Sequence, residues 1–205
     1  MDYPFDTTGL DDVTIETFHE TYELLKTKHR IESTGHIDFR LPDFELFRNY
    51  TDTKVIGSYA IKGSGNESYI LFTETHMKDI GRRGGVMNYC DHSTWALAYL
   101  KKDFGRILIR PETLADKIIE LVHPVEIDFE DDKAFSDTWY VLANDRWKAD
   151  AAIDRNFRNA VMDMRHEDVV IEILDHTLII GYRKPISPDR AMHLADFLVR
   201  LCSNC

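Results

Sequence analysis

The 205 residues (23.9 kDa), 43% apolar, 11% aromatic and 30% charged, can bury a sizeable core without a disulfide or metal staple, which excludes disorder. The longest apolar run, residues 95–100, is far shorter than the roughly 20 residues a membrane span needs. The net charge is -11, with 25 Lys and Arg against 36 Asp and Glu. The densest basic clusters are the pairs Lys101-Lys102, Arg82-Arg83 and Arg183-Lys184, which excludes nucleic acid and anionic membranes as partners.

Residues 1–10 lack a basic start and an apolar stretch, so no signal peptide is expected. Asp11, Asp12 and Thr14 then open a helix predicted over 12–30, its inner face formed by Ile15, Phe18, Tyr22 and Leu25. Gly35 and Pro42 mark a loop. Residues 55–61 and 69–75 form two predicted strands around a turn from Lys62 to Asn66. Gly81-Arg82-Arg83-Gly84-Gly85 is a loop by composition. Residues 95–100 and 106–110 are expected to form a second strand pair, followed by a short helix opened by Pro111-Glu112 and carrying Leu114, Ile118 and Leu121.

Alternation of Val125, Ile127 and Phe129 with acids predicts a half-buried strand, and 137–143 another. Asp145 caps a long predicted helix with the stripe Ala149, Ile153, Phe157, Ala160, Val161 and Met164. Residues 169–174 and 177–182 form a tight hairpin about Asp175-His176. Ser187-Pro188-Asp189 opens a last helix to about 201, with Met192, Ala195, Leu198 and Val199 on its apolar face. The fold class is therefore α+β, with antiparallel strand pairs alternating with single helices and not a βαβ series. One domain over 1–205 is expected, with a hint of two similar halves at 55–122 and 125–201 sharing one core, and the N-terminal helix packed on them.

Each chemical motif has a bland competitor. Cys202-Ser203-Asn204-Cys205 follows a helix C-terminus, where the dipole disfavours a thiolate, so redox chemistry is not expected. As half of a zinc site the pair needs two more ligands, so a frayed tail is the default. Cys90-Asp91-His92 places a nucleophile beside a base, but neighbours in sequence rarely form a working dyad, and an ordinary loop is the expectation. Glu16-x-x-His19 and Glu120-x-x-His123 match half of a di-iron motif without the four facing helices it needs. His19-Glu20 lacks the second His of a zinc protease. Asp128, Glu130 and Asp132 begin a calcium-loop spacing that fails at Lys133 and Trp139. Gly63-Ser64-Gly65 is no phosphate loop, and no G-x-S-x-G elbow occurs.

Several pieces carry a family likeness: Gly57-Ser58-Tyr59, Leu108-x-x-Pro111-Glu112, Val125-x-Ile127-x-Phe129, Phe135-Ser136-x-x-Trp139-x-Val141, Asp145 with Ala149, and the 171–182 hairpin. From about Gly57 to Leu201 their order resembles a prokaryotic family defined only as a domain of unknown function, some of whose members carry membrane segments ahead of a similar soluble region. The resemblance implies a fold and lends no catalytic, cofactor-binding or metal-binding residues, and this chain lacks the hydrophobic span.

The expected function is a non-enzymatic cytosolic module binding a protein partner or small ligand, without a cofactor. Its contact surface would include Trp147 and the Arg82-Arg83 loop, although Trp147 could equally shield the core edge. The alternative is a thiol- or metal-dependent hydrolase using Cys90 and His92, with His123 or the terminal cysteines. A homodimer burying one apolar face is left open. The odd number of cysteines points to the reducing cytoplasm.

Overall fold

The computed structural model describes residues 3–63, 67–80, 86–111 and 124–204. The predicted 81–85 loop, the turn residues Ser64 to Asn66, the 112–121 helix, His123 and Cys205 lie outside them.

The chain forms an α+β fold about one antiparallel sheet. The first helix, α1 (Asp12–Lys28), starts where the Asp11 side chain accepts from the Thr14 N–H at 2.7 Å, and it buries Phe18 and Leu25 as its spacing requires. The short strand β1 (Ile31–Ser33) follows, and then two 3-10 turns, Leu41–Asp43 and Glu45–Phe47. Strands β2 (Asp52–Ile61), β3 (Ser68–Ile80), β4 (Val86–Tyr99), β5 (Arg106–Pro111), β6 (Val125–Glu126) and β7 (Trp139–Ala143) come next, with α2 (Lys133–Ser136) between the last two. Helices α3 (Arg146–Ala152) and α4 (Arg155–Met162), the hairpin β8 (Val169–Leu174) and β9 (Thr177–Tyr182), and α5 (Pro188–Asn204) complete the order. The sheet runs β1-β2-β3-β4-β9-β8-β5-β7-β6.

Four elements differ from the sequence reading. Residues 95–100 and 106–110 do not pair: the β8–β9 hairpin lies between β4 and β5. Its turn, with Asp175 at φ +54, is held by Leu100 N–H to His176 O, Phe104 N–H to Asp175 O and Asp175 N–H to Gly105 O. The link wraps this turn, crossing three strand spacings of about 4.8 Å each, a reach that six residues cover. β4 itself begins at Val86, so Cys90, Asp91 and His92 lie on a strand and not in a loop. The strand predicted from Val125 to Phe129 is shorter because the Phe129 N–H leaves the ladder for Ser136 Oγ at 2.9 Å. The long helix after Asp145 is two, because Asp154 turns its side chain onto the Phe157 N–H at 3.0 Å and caps a new helix.

Both faces of the sheet are covered. Helices α1, α3, α4 and α5 bury one face around Phe18, Phe72, Ile107, Phe157 and Leu198. Residues Phe39, Leu41, Phe44 and Phe47 cover the other at Leu71, Trp95, Leu97 and Ile179. Lys28 and His29 tie α1 to Asp196 of α5 at 2.7 and 2.9 Å. Among the described residues no helix is long and apolar enough to cross a membrane.

Candidate functional site

Strands β3 and β4 outrun their neighbours. The β2 pairing ends at His76, where the Thr51 N–H also donates to the His76 carbonyl, and the β9 pairing begins at Trp95. Residues 77–80 and 86–89 thus pair only with each other among the described strands, forming an arm whose two outer edges carry no further described strand.

Register decides what each face of the arm carries. Met77 lies opposite Tyr89 and Asp79 opposite Met87, so the two methionines and the tyrosine share one face. They are 38%, 54% and 41% exposed. On the other face, at the base of the arm, Glu74 lies opposite His92 and His76 opposite Cys90. Glu74 divides its carboxylate between the imidazoles: Oε1 lies 2.9 Å from His76 Nε2 and Oε2 3.2 Å from His92 Nε2. Cys90 Sγ lies 4.0 Å from His92 Nε2. The Phe18 ring meets the His92 ring edge-on at 5.9 Å.

Two electrostatic effects oppose each other at Glu74. Partial burial raises its pKa, but hydrogen bonds and charge from His76 and His92 outweigh this and leave it below the ordinary glutamate value. Burial, then the Glu74 and Asp91 carboxylates, push the Cys90 thiol up. A nucleophile–base–acid relay needs the base to hold the acid through one ring nitrogen and the nucleophile through the other. Here one nitrogen, Nε2 of His92, faces both Glu74 and Cys90. One donor atom each from Glu74, His76 and Cys90 lies within 4.8 Å of the others, and His92 Nε2 approaches Glu74 and Cys90, an arrangement unsuited to relaying a proton.

The other sequence candidates are not brought together. His19 of α1 packs against the Tyr3 ring, while Glu16 is exposed. Asp132 caps α2 and, with Asp131, binds the buried Arg158, at 3.0 and 2.7 Å. α5 continues through Asn204 and Cys202 is buried in the core, so the expected frayed tail is helical to that point. Trp147, at 88% exposure, does not shield the core edge. An open cleft of about 890 Å³ lies between the N-terminal segment, residues 35–42 and β2, with Tyr3, His36, Arg40 and Ser58 in its lining and Lys54 paired to Asp6 at 2.6 Å. Glu74 and His76 went unnoticed in the sequence because only the cross-strand register joins them to Cys90 and His92.

No family model matches the chain, and no curated protein matches it. Among solved structures, the mycobacterial trehalose monomycolate transport factor A is similar, with a TM-score of 0.54 over 90% of this chain and 91% of that one at 9% identity. That likeness extends to the α+β fold alone.

Proposed function

We propose that the chain is a non-enzymatic cytosolic interaction module that associates with a second copy of itself through the β3–β4 arm. The observation that supports this reading is the arm, whose Met77, Met87 and Tyr89 are exposed beside two backbone edges that no other described strand pairs. Charge selects the occupant. Between Met77 and Tyr89 the sequence holds Lys78, Arg82 and Arg83 against the single acid Asp79, in a chain of net charge -11. The far edge of the sheet offers the complement: β6 is its terminal strand, with Val125 41% exposed and Glu126, Asp128 and Glu130 exposed beside it. A two-fold pair of arm-to-β6 contacts satisfies both patches.

Sedimentation or light scattering of the purified chain tests this. A dimer is expected that weakens at high salt, and that Met87→Asp or Lys78→Glu converts to monomer while far-UV circular dichroism stays unchanged. A strict monomer at every soluble concentration, or a dimer indifferent to both substitutions, overturns it. The hydrolase alternative draws on the approach of Cys90 to His92, but the shared Nε2 and the raised thiol pKa weigh against a thiolate nucleophile.

A further inference from the structure

At the base of the arm, on the sheet face opposite Met77 and Tyr89, lies a second cluster of side chains. We infer that Glu74, His76, Cys90 and His92 bind one divalent transition-metal ion of the zinc type. The four side chains stand at the corners of a patch two residues long and two strands wide. Cross-strand neighbours on one face lie about 5 Å apart at Cβ, which side chains of this length close. One donor atom from each of Glu74, His76 and Cys90 lies within 4.8 Å of the others. His92 adds Nε2, 3.2 Å from Glu74 and 4.0 Å from Cys90. Ligands of a tetrahedral ion with bonds of about 2.0–2.3 Å are separated by roughly 3.3–3.8 Å, so the side chains must rotate inward to complete the shell, His92 joining the three donors that already lie close together.

Donor type sets the ion class. Two imidazoles, one sulfur and one carboxylate suit zinc, cobalt or nickel and not calcium or magnesium, which take oxygen. One carboxylate and one thiolate balance the charge of a divalent ion. The ladder fixes the backbone, Phe18 backs the His92 ring, and the exposed sides of Cys90 and His76 leave a path for the ion. On binding, the Cys90 thiol releases its proton to water and a metal–sulfur bond forms. Each imidazole gives up the Nε2 proton it donates to Glu74, by exchange through water that leaves the neutral ring protonated at Nδ1, and binds through Nε2, while Glu74 exchanges its hydrogen bonds to the rings for a bond to the ion.

Cobalt(II) titration of the full chain tests this, with zinc(II) as competitor. One equivalent is expected, with a thiolate-to-cobalt charge-transfer band that zinc abolishes. Cys90→Ser removes the band, His76→Gln and Glu74→Gln weaken binding about tenfold or more, and Cys205→Ser leaves it unchanged. Equal far-UV circular dichroism shows that each variant folds. Without saturable binding, Glu74 serves only to hydrogen-bond two imidazoles and the inference fails. It fails equally where the band survives Cys90→Ser and disappears in Cys205→Ser, which moves the site to the tail. Binding retained in the monomeric Met87→Asp variant separates this result from self-association.

Discussion

At the scale of single residues, the tightest constraint is one glycine facing one tryptophan. Trp95 and Gly181 are direct partners across β4 and β9. A Cβ on Gly181 would stand 2.3 Å from Trp95 Cε3, inside contact distance. The indole cannot retreat: it is 4% exposed, packs on Phe47 at 4.8 Å between centroids, and donates from Nε1 to Ser93 Oγ at 3.0 Å. Gly181→Ala should therefore destabilise the protein by about 1–3 kcal/mol, the usual cost of overpacking a rigid core, measured by urea denaturation. Trp95→Leu empties the contested space, so the double variant should lose less than the sum of the two single losses. Isolated glycine within an apolar strand pattern signals a close approach, but the sequence does not say of what, because the partner is 86 positions away.

Among elements, the segment over the second face of the sheet depends on a buried acid. Glu172 of β8 is fully buried, and its two carboxylate oxygens accept from the backbone N–H groups of Glu45 and Leu46, each at 3.0 Å. Arg106 of β5 reinforces the junction through Glu45 Oε1 at 2.8 Å and the Asp43 carbonyl at 2.9 Å. Burial raises the Glu172 pKa above its ordinary 4.5, and the Glu45 carboxylate adds to it; the two N–H groups and Arg106 pull down but do not cancel it. A carboxyl raised in the folded state binds more protons there than in the unfolded chain, so its contribution to stability falls as pH rises through the window above 4.5. Glutamine has one carbonyl oxygen for two N–H donors, so Glu172→Gln should cost about 1–3 kcal/mol at neutral pH. The variant should also lose this pH dependence, so its deficit against the parent widens as pH falls toward 4.5. Urea midpoints across that range check both, and the other carboxylates cancel in the difference. The helix α1, the 177–182 strand with its Asp175 turn, and the α5 start were legible because local pattern and capping determine them. Glu172 was not, since a single acid in an apolar strand reveals nothing of a covering segment more than a hundred residues upstream. The donor patch at the base of the arm was half legible for the same reason: Cys90 and His92 lie two apart on one strand, while Glu74 and His76 join them only through pairing.

For the whole molecule, strand order ties the two stretches of chain that share a local rhythm. β4 belongs to the stretch 55–122 and bonds to β9 of the stretch 125–201. β5, from the first, is clamped between β8 and β7 of the second. Neither stretch keeps a complete set of strand neighbours without the other, and α1 and α5 draw both into one apolar cluster. Local sequence pattern carried strand existence but not this interleaving, because pairing across distant segments leaves no periodic trace. The interleaving predicts that residues 1–205 unfold as one cooperative unit. Trp95 reports on the first stretch and Trp139 on the second, both buried, while Trp147 is exposed in either state. Fluorescence of a Trp139→Phe variant follows the first tryptophan, and of a Trp95→Phe variant the second. In each variant the fluorescence midpoint should coincide with that variant's own far-UV circular dichroism midpoint. A fluorescence transition separated from the loss of secondary structure in either protein would show that the stretches melt independently, and the single-domain reading would fall.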